Sequence, residues 1–431
     1  MERIAILFVF WLTIQMATSQ EILTLDDAIQ TALQNNLNIK IAKNNAIISE
    51  NNAIPANAGL IPNLILSSGG TYQRNDSRSQ DIRGEISEGG NVFRGNAAIG
   101  FDYVFFDGMG KANTFKKLKK QTDLASLNLQ FSIENEILNV ISQYYESALL
   151  SEQVDIAQKN LELSSNRLLR VQTKREFATA TLIEELNAQV NYNEDSLNLA
   201  NAYINYKNSK TKLNTLMGRN PDTFFEVEPE LRSFSFSNYD SLKDAAISQN
   251  ILIKLSELNI DIAQYDLKIS KSILYPQISA NANYGFNGVN SEIGFQARNK
   301  TWGFLGGMTM TYNIFDGGRR KSNIENAQLN IINTELEKKQ VGLDVLQNLD
   351  NVYNNYLYFK DIAKIQGRNV TTATINYNRT EEQFKIGKVT SVEFREAQLN
   401  LARAENMLLS AQYNAQIAGY ALLQITGLLL N

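Results

Sequence analysis

The chain has 431 residues, a formal net charge of −4, and neither cysteine nor histidine. Those absences exclude disulfide frameworks, thiol nucleophiles, His-dependent triads and nearly all structural zinc sites. Lysines and acids are interspersed, which leaves no basic footprint for nucleic acid, and the length could bury two or three ordinary cores.

Arg3, offset by Glu2, precedes an apolar run from Ile4 to Ile14 and a small-residue site at Ala17-Thr18-Ser19. This pattern predicts a signal peptide over 1–19, with the mature chain starting near Gln20. A membrane anchor is the rival reading, but the run is short for a ~30 Å bilayer. No cysteine follows that could carry a lipid, and no later segment has the length and purity of a transmembrane helix. An exported chain of this kind is periplasmic, secreted or a membrane β-protein.

Short helices come next, and Pro62 is expected to end a helix and open a strand. Leu64 and Leu66 then share one face, with Ile65 out of phase. After a polar loop from Arg74 to Asn91, Ile99, Phe101, Tyr103 and Phe105 alternate with Gly100, Asp102 and Val104. Such a dyad of apolar and polar faces marks a half-buried strand. Phe106-Asp107-Gly108 closes it: the Asp can cap the following helix, and the glycine lets the chain change direction. From Lys111 to Met217 there is neither proline nor glycine, and apolar residues recur three and four apart, as in Ile137, Val140 and Tyr144. That spacing predicts helices packed in coiled-coil style. The first helix would run about 65 residues, or ~100 Å, to a tip near Ala178.

Arg219 to Tyr239, with Pro221 and Pro229, is a polar connection, and then the order begins again. Leu37, Ile39, Lys40 and Pro62 return as Ile251, Ile253, Lys254 and Pro276. Pro276 opens a strand with Ile278, Ala280, Ala282, Tyr284 and Phe286 on one face and Gln277, Ser279, Asn281 and Asn283 on the other. A loop from Asn287 to Thr301 leads to Met308, Met310, Tyr312 and Ile314, again alternating with polar residues. Phe315-Asp316-Gly317 repeats the earlier junction; Leu346, Leu349, Tyr353 and Tyr356 repeat the helical seam. Tyr144 returns as Tyr353, Glu184 as Glu393, Ala188-Gln189 as Ala397-Gln398 and Gly218 as Gly427, all at one offset. A repeat this long exceeds any solenoid period and predicts an internal duplication. The halves are 20–230 and 231–431. Their strand pairs lie at about 62–106 and 276–315, and their hairpins at about 108–218 and 317–427.

The expected fold is an α+β membrane protein. Gly, Asn, Ser and Thr on one strand face suit a wet lumen. The aromatics Tyr72, Phe101, Tyr103, Phe105, Tyr284, Phe286, Trp302, Phe304 and Tyr312 suit a lipid-facing band and its girdles. Four strands cannot close a barrel, since open edges in lipid leave backbone groups unpaired. Several protomers must therefore share one, and three would give twelve strands, above the ~8 at which small barrels close. Sequence alone does not separate three from two or four.

With the junctions, the doubled order and the tip Phe384-Lys385-Ile386-Gly387-Lys388-Val389-Thr390-Ser391-Val392-Glu393 in view, the mature chain resembles the TolC family of outer-membrane efflux proteins. The resemblance implies a homotrimer in the outer membrane of a Gram-negative bacterium. A transmembrane β-barrel completed by trimerisation, twelve strands with four from each protomer, would continue into a long α-helical coiled-coil barrel crossing the periplasm. Its tips would dock on a periplasmic adaptor and an inner-membrane transporter, for tripartite efflux or type I secretion, with no cofactor and no catalysis. Mapped onto this chain, the adaptor-binding tips are Ala178 and Thr179 in the first hairpin and Ile386, Gly387 and Lys388 in the second. Alanine tolerates positive φ poorly, so the first tip is expected to turn differently or bind the adaptor less directly. Glu393 and Glu396 fall on pore-facing acidic positions of the family and would form stacked rings, with Glu184 retained at the gate. Phe384 and Val389 replace the family's aromatic hydroxyl and arginine, so those ties cannot form; Lys388 or Arg395 is the substitute partner for Glu184. Two other classes compete with this reading. A soluble periplasmic coiled-coil adaptor or scaffold usually carries one such hairpin, and a hydrolytic enzyme would need convergent acids in a pocket, where these acids lie scattered along helices.

Overall fold

The computed structural model describes residues 22–76, 79–80, 82, 84, 86–87, 89–236, 238–292 and 297–430. The expected signal peptide at 1–19 lies outside the described residues, as do parts of both strand-connecting loops. In chain order the elements are β1 (Ile22–Leu23), α1 (Leu25–Asn35), α2 (Leu37–Asn52), β2 (Asn63–Asn75), β3 (Ser79–Gln80), β4 (Ile86–Ser87) and β5 (Gly90–Phe106). Then come α3 (Gly110–Glu176), α4 (Leu182–Leu216), β6 (Glu226–Val227), α5 (Tyr239–Gln249), α6 (Ile251–Ser272), β7 (Gln277–Ser291), β8 (Arg298–Thr311), α7 (Arg319–Lys385) and α8 (Ser391–Ile425). The order of two short helices, two long strands, a 67-residue helix and a 35-residue helix thus occurs twice.

The chain divides into two compact units. The first comprises the residues up to Asn44, Asn128–Lys254 and Gln340 onward. Its larger core gathers Ile137, Val140, Ile141, Tyr144 and Tyr145 of α3 with Leu25, Ala28 and Ala32 of α1, Leu213 of α4 and Tyr413 and Tyr420 of α8. The Tyr144 hydroxyl lies 2.7 Å from the Glu228 carbonyl and 3.1 Å from that of Leu23. It thereby satisfies backbone beside the parallel β1–β6 pair. A second cluster sets Leu242 and Ala246 of α5 against Val345, Leu349 and Tyr356 of α7 and Leu422 and Ile425 of α8. Both clusters use the three-and-four spacing read from the sequence.

The second unit comprises Asn45–Leu127 and Leu255–Lys339 and holds an antiparallel sheet in the order β2-β5-β7-β8. Its register aligns Leu66, Ile99, Tyr284 and Phe304 in one row, Leu64 and Phe101 in a second, and Phe286 with Trp302 in a third. The expected aromatic face is therefore continuous across the strands, because the two-residue period puts all these side chains on one side. The opposite face carries Asn63, Ser67, Thr71, Asn96, Asp102, Asn281, Asn283, Asn287 and Thr301, with Ile65 among them.

Three expectations about the junctions need correction. Pro62 does precede β2 directly, but α2 ends ten residues earlier, at Asn52, and Pro55 and the turn through Gly59 (φ 72°) fill the gap. Pro276 behaves as expected, with α6 ending at Ser272 and β7 starting at Gln277. Phe105 is not in register with Tyr103: a bulge between Val104 and Phe106 makes Phe105 the extra residue, and Phe106 takes the row of Ile278. Phe105 still meets Tyr103 edge-on at 4.9 Å. Finally, β5 runs to Phe106 but β8 stops at Thr311, so Tyr312 lies past the strand and Phe315 does not close it. β5 is hydrogen-bonded on both sides and β8 on one, which leaves the end of β8 with fewer bonds to hold it extended.

The capping role of the Asp holds at both junctions. Asp107 Oδ2 accepts from the Lys111 N–H at 2.7 Å; Asp316 accepts from the Gly318 and Arg320 N–H groups at 3.2 and 3.0 Å. Gly108 and Gly317 both take positive φ, 68° and 70°.

Candidate functional site

Each long hairpin of the first unit turns between a 67-residue and a 35-residue helix. At the first tip the Ala178 N–H donates to the Arg175 carbonyl (2.9 Å) and the Thr179 N–H to that of Lys174 (2.8 Å). At the second, the Gly387 N–H donates to Phe384 (3.1 Å) and the Lys388 N–H to Gln383 (2.9 Å). These are the two bonds of a Schellman ending, which needs a left-handed residue at its centre. Gly387 supplies it at φ 76°, and Ala178 at φ 54°. The expectation that alanine would force a different turn is therefore wrong: the paired hydrogen bonds hold Ala178 left-handed, at a cost of about 1 kcal/mol.

Beyond each turn the chain re-enters a helix through a reciprocal cap. The Glu184 N–H donates to Thr181 Oγ1 at 3.2 Å, and Glu184 Oε2 accepts from the Thr181 N–H at 2.8 Å. Thr390 and Glu393 repeat this at 3.2 and 2.7 Å. The sequence carries this capping box openly as Thr-x-x-Glu. Reading the two glutamates only as pore acids passed over it. Donation from the Thr390 backbone and hydroxyl holds the Glu393 carboxyl below its ordinary range. Glu396 stands exposed one turn further on. At the turn, the Thr179 hydroxyl is spent on the Lys174 carbonyl (2.8 Å), and Lys388 is exposed.

The tips also present apolar side chains to solvent. Phe177 and Ile183 at the first are 74% and 71% exposed; Ile386 and Val392, at the equivalent places of the second, are 67% and 70%. Of these four only Ile386 was singled out from the sequence. An exposed apolar pair looks like any helix-end residue until burial is known.

Behind the tips lies a buried polar network. Arg395 on α8 grips Asp195 on α4 with two bonds of 2.6 and 2.8 Å, and Glu194 stands 3.6 Å away. Arg395 is therefore committed and does not partner Glu184, which corrects the sequence reading; a bidentate carboxylate in a buried site outcompetes an exposed one. Arg167 on α3 donates to Gln398 on α8, whose amide donates in turn to Asn160 Oδ1 at 3.1 Å. Burial, and then the nearby charge of Arg395, push the Arg167 guanidinium down to about 10. It lies over the Phe394 ring at 5.2 Å, and Phe394 stacks on Phe384 at 4.9 Å. Phe384 thus fastens α7 to α8 by stacking.

A family model described as outer membrane efflux protein matches residues 28–219 and 242–428. The outer membrane efflux protein BepC of Brucella suis is 20% identical over 421 residues, covering 96% of this chain and 87% of that protein. The outer membrane protein TolC of Escherichia coli is 19% identical over 380 residues, covering 83% and 73%. Among solved structures, the Campylobacter jejuni CmeC outer membrane channel aligns with a TM-score of 0.78 at 16% identity, over 94% of this chain and 86% of that one. The outer membrane protein VceC of Vibrio cholerae aligns at 0.75 and 17% identity, over 94% and 96%. At such identity the structural likeness speaks for the fold.

Proposed function

The chain belongs to the outer membrane efflux protein family, and we propose that it is the outer-membrane exit duct of a tripartite efflux pump or a type I secretion system. The observation that carries this reading is the sheet. Its outer strands, β2 and β8, are each paired on one side only, and its aromatic face is exposed, Trp302 by 70% and Phe304 by 73%. Free edges beside lipid cost several kcal/mol for each unpaired group. Strand directions alternate across the four strands, so β8 of one copy meets β2 of the next antiparallel. A head-to-tail ring then closes without an edge. Three copies give a barrel of about twelve strands, within the range of known outer-membrane barrels. Among the described residues no helix is long and apolar enough to cross a membrane.

The two halves, 20–230 and 231–431, are an internal duplication of one unit. The hairpin tips, with Ala178, Thr179, Ile386, Gly387 and Lys388, dock on a periplasmic adaptor that links the duct to an inner-membrane transporter. Glu393 and Glu396 form acidic rings at the periplasmic entrance, with Glu184 beside them. The second hairpin moves about Gly387 to open the entrance. The energy comes from the partner, and the chain performs transport rather than catalysis. A soluble adaptor fits less well, because it would have no use for an exposed aromatic sheet face.

The chain has no native cysteine, so a cysteine placed at Glu393 reports cleanly. Oxidative cross-linking between protomers should stop transport and reduction should restore it. Unchanged transport with complete cross-linking would refute the gating role, and a detergent-free monomer would refute the duct.

A further inference from the structure

We propose that the sheet's helix-bearing end carries a basic collar that binds the phosphodiester headgroups of anionic glycerophospholipids in the facing leaflet. The proposal rests on the outer-membrane reading above. β2 and β7 begin at this end and β5 and β8 finish at it. The aromatic face remains apolar up to it, with Leu64, Met308 and Met310 all exposed. Over the three turns of the adjoining helices nearest the strands, the second unit changes to cations. Lys116 and Lys119 of α3, Lys268 and Lys271 of α6, and Arg319 and Lys321 of α7 are all exposed.

The acids nearby do not neutralise them. Asp266 and Asp261 are taken by Lys117 (2.6 Å) and Lys120 (3.0 Å), and Asp316 by Arg320 (3.0 Å). Asp107 caps α3. The first acids along α3 and α7 are Asp123 and Glu325; Asp123 lies 3.9 Å from Lys120, and Glu325 makes a loose 3.8 Å contact with Lys321. In a chain of net charge −4 this is a local reversal of sign. Helix energetics account for Lys271, in the last turn of α6, but not for the cations that open α7. Arg319, Arg320 and Lys321 occupy the first turn of α7, where the macrodipole favours acids. Cations placed against the dipole, next to an apolar band and at reach for long side chains, fit an anionic surface just outside the hydrocarbon.

The full chain would be reconstituted in nanodiscs of phosphatidylethanolamine with a minority of phosphatidylglycerol, and the lipids retained on re-extraction counted by mass spectrometry. Each exposed cation is worth about fivefold in binding an anionic surface, so wild type should hold phosphatidylglycerol severalfold above its bulk fraction. High salt should weaken that excess. The variant K116Q/K119Q/K268Q/K271Q/R319Q/K321Q should fall to the bulk ratio while inserting and conducting as wild type does. The matching lysine-to-arginine variant should keep the excess. A glutamine variant with undiminished enrichment, or an inserted wild type with none, overturns the collar and leaves these cations to an acidic protein surface. A wild type that fails to insert in any bilayer defeats the outer-membrane reading first, and shows it by the absence of conductance.

Discussion

The two hairpin tips share a backbone and diverge in what they surround it with. Ala178 and Gly387 occupy the same left-handed position, as do Met109 (φ 70°) and Gly318 (φ 90°) at the strand-to-helix junctions. Among the described residues, both non-glycine residues in that region fall in the first half. The flanking helices and their terminal hydrogen bonds over-determine the turn, so a residue with a Cβ is tolerated at a small energetic cost. One turn beyond the tips, equivalence ends. Leu186 is 55% exposed, while Arg395, its counterpart, is 7% exposed and paired with Asp195. Glu185 pairs with Arg175 on its own hairpin, while its counterpart Phe394 is buried against Phe384 and beneath Arg167. Matching positions of the two hairpins thus keep the same local geometry while their environments differ.

The largest effect should come where the environments differ most. Arg395→Met strands the buried Asp195 carboxylate and should cost about 3–5 kcal/mol, whereas Leu186→Met should stay within about 0.5 kcal/mol. Urea titration of the helical signal measures both, and similar losses would erase the contrast. Adding Asp195→Leu to Arg395→Met should recover most of the stability, since the pair is then removed whole. Next come the turns. Gly387→Ala should destabilise by about 1 kcal/mol, and Ala178→Gly should stabilise by somewhat less, because glycine loses more chain entropy on folding. Opposite signs at the two tips are the signature of a shared left-handed turn. Thr181→Ala and Thr390→Ala should each cost about 1 kcal/mol, nearly equal because the two caps are alike.

The smallest effects concern the acids. The folded-state carboxyl of Glu393 is depressed by the Thr390 donors. Its contribution is therefore complete above the unfolded value near ~4.3 and is lost as pH falls through the lower folded value. Hydrogen exchange at the second tip should accelerate only in that acid window. Glu393→Gln keeps a side chain able to complete the cap, so exchange should lose its acid dependence without rising at neutral pH. Joined with Glu396→Gln, it should reduce cation preference in single-channel recordings. Unaltered selectivity would confine Glu393 to its capping role.

Much of the fold was legible because it is written in short-range spacing. The change from a two-residue to a three-and-four period located both strand pairs and both hairpins, and Asp107 and Asp316 announced their caps. The bulge at Phe105 and the early end of β8 were not legible, since each depends on which neighbours a strand has. The Thr-x-x-Glu boxes were legible and passed over, because the glutamates already had a chemical reading. Nothing in the sequence around Arg395 marks it as buried.

The sequence by itself determined the order of elements, the turn residues, the two faces of each strand and the helical seams, since all are fixed by residues within a few positions of one another. Only the tertiary structure decided that Arg395 meets Asp195 across 200 positions, that Arg167 reaches Gln398 across 231, and that β2 and β8 are the outer strands. The physical reason is that burial and pairing depend on which distant surfaces meet, and helical or strand period specifies a face without naming what will cover it.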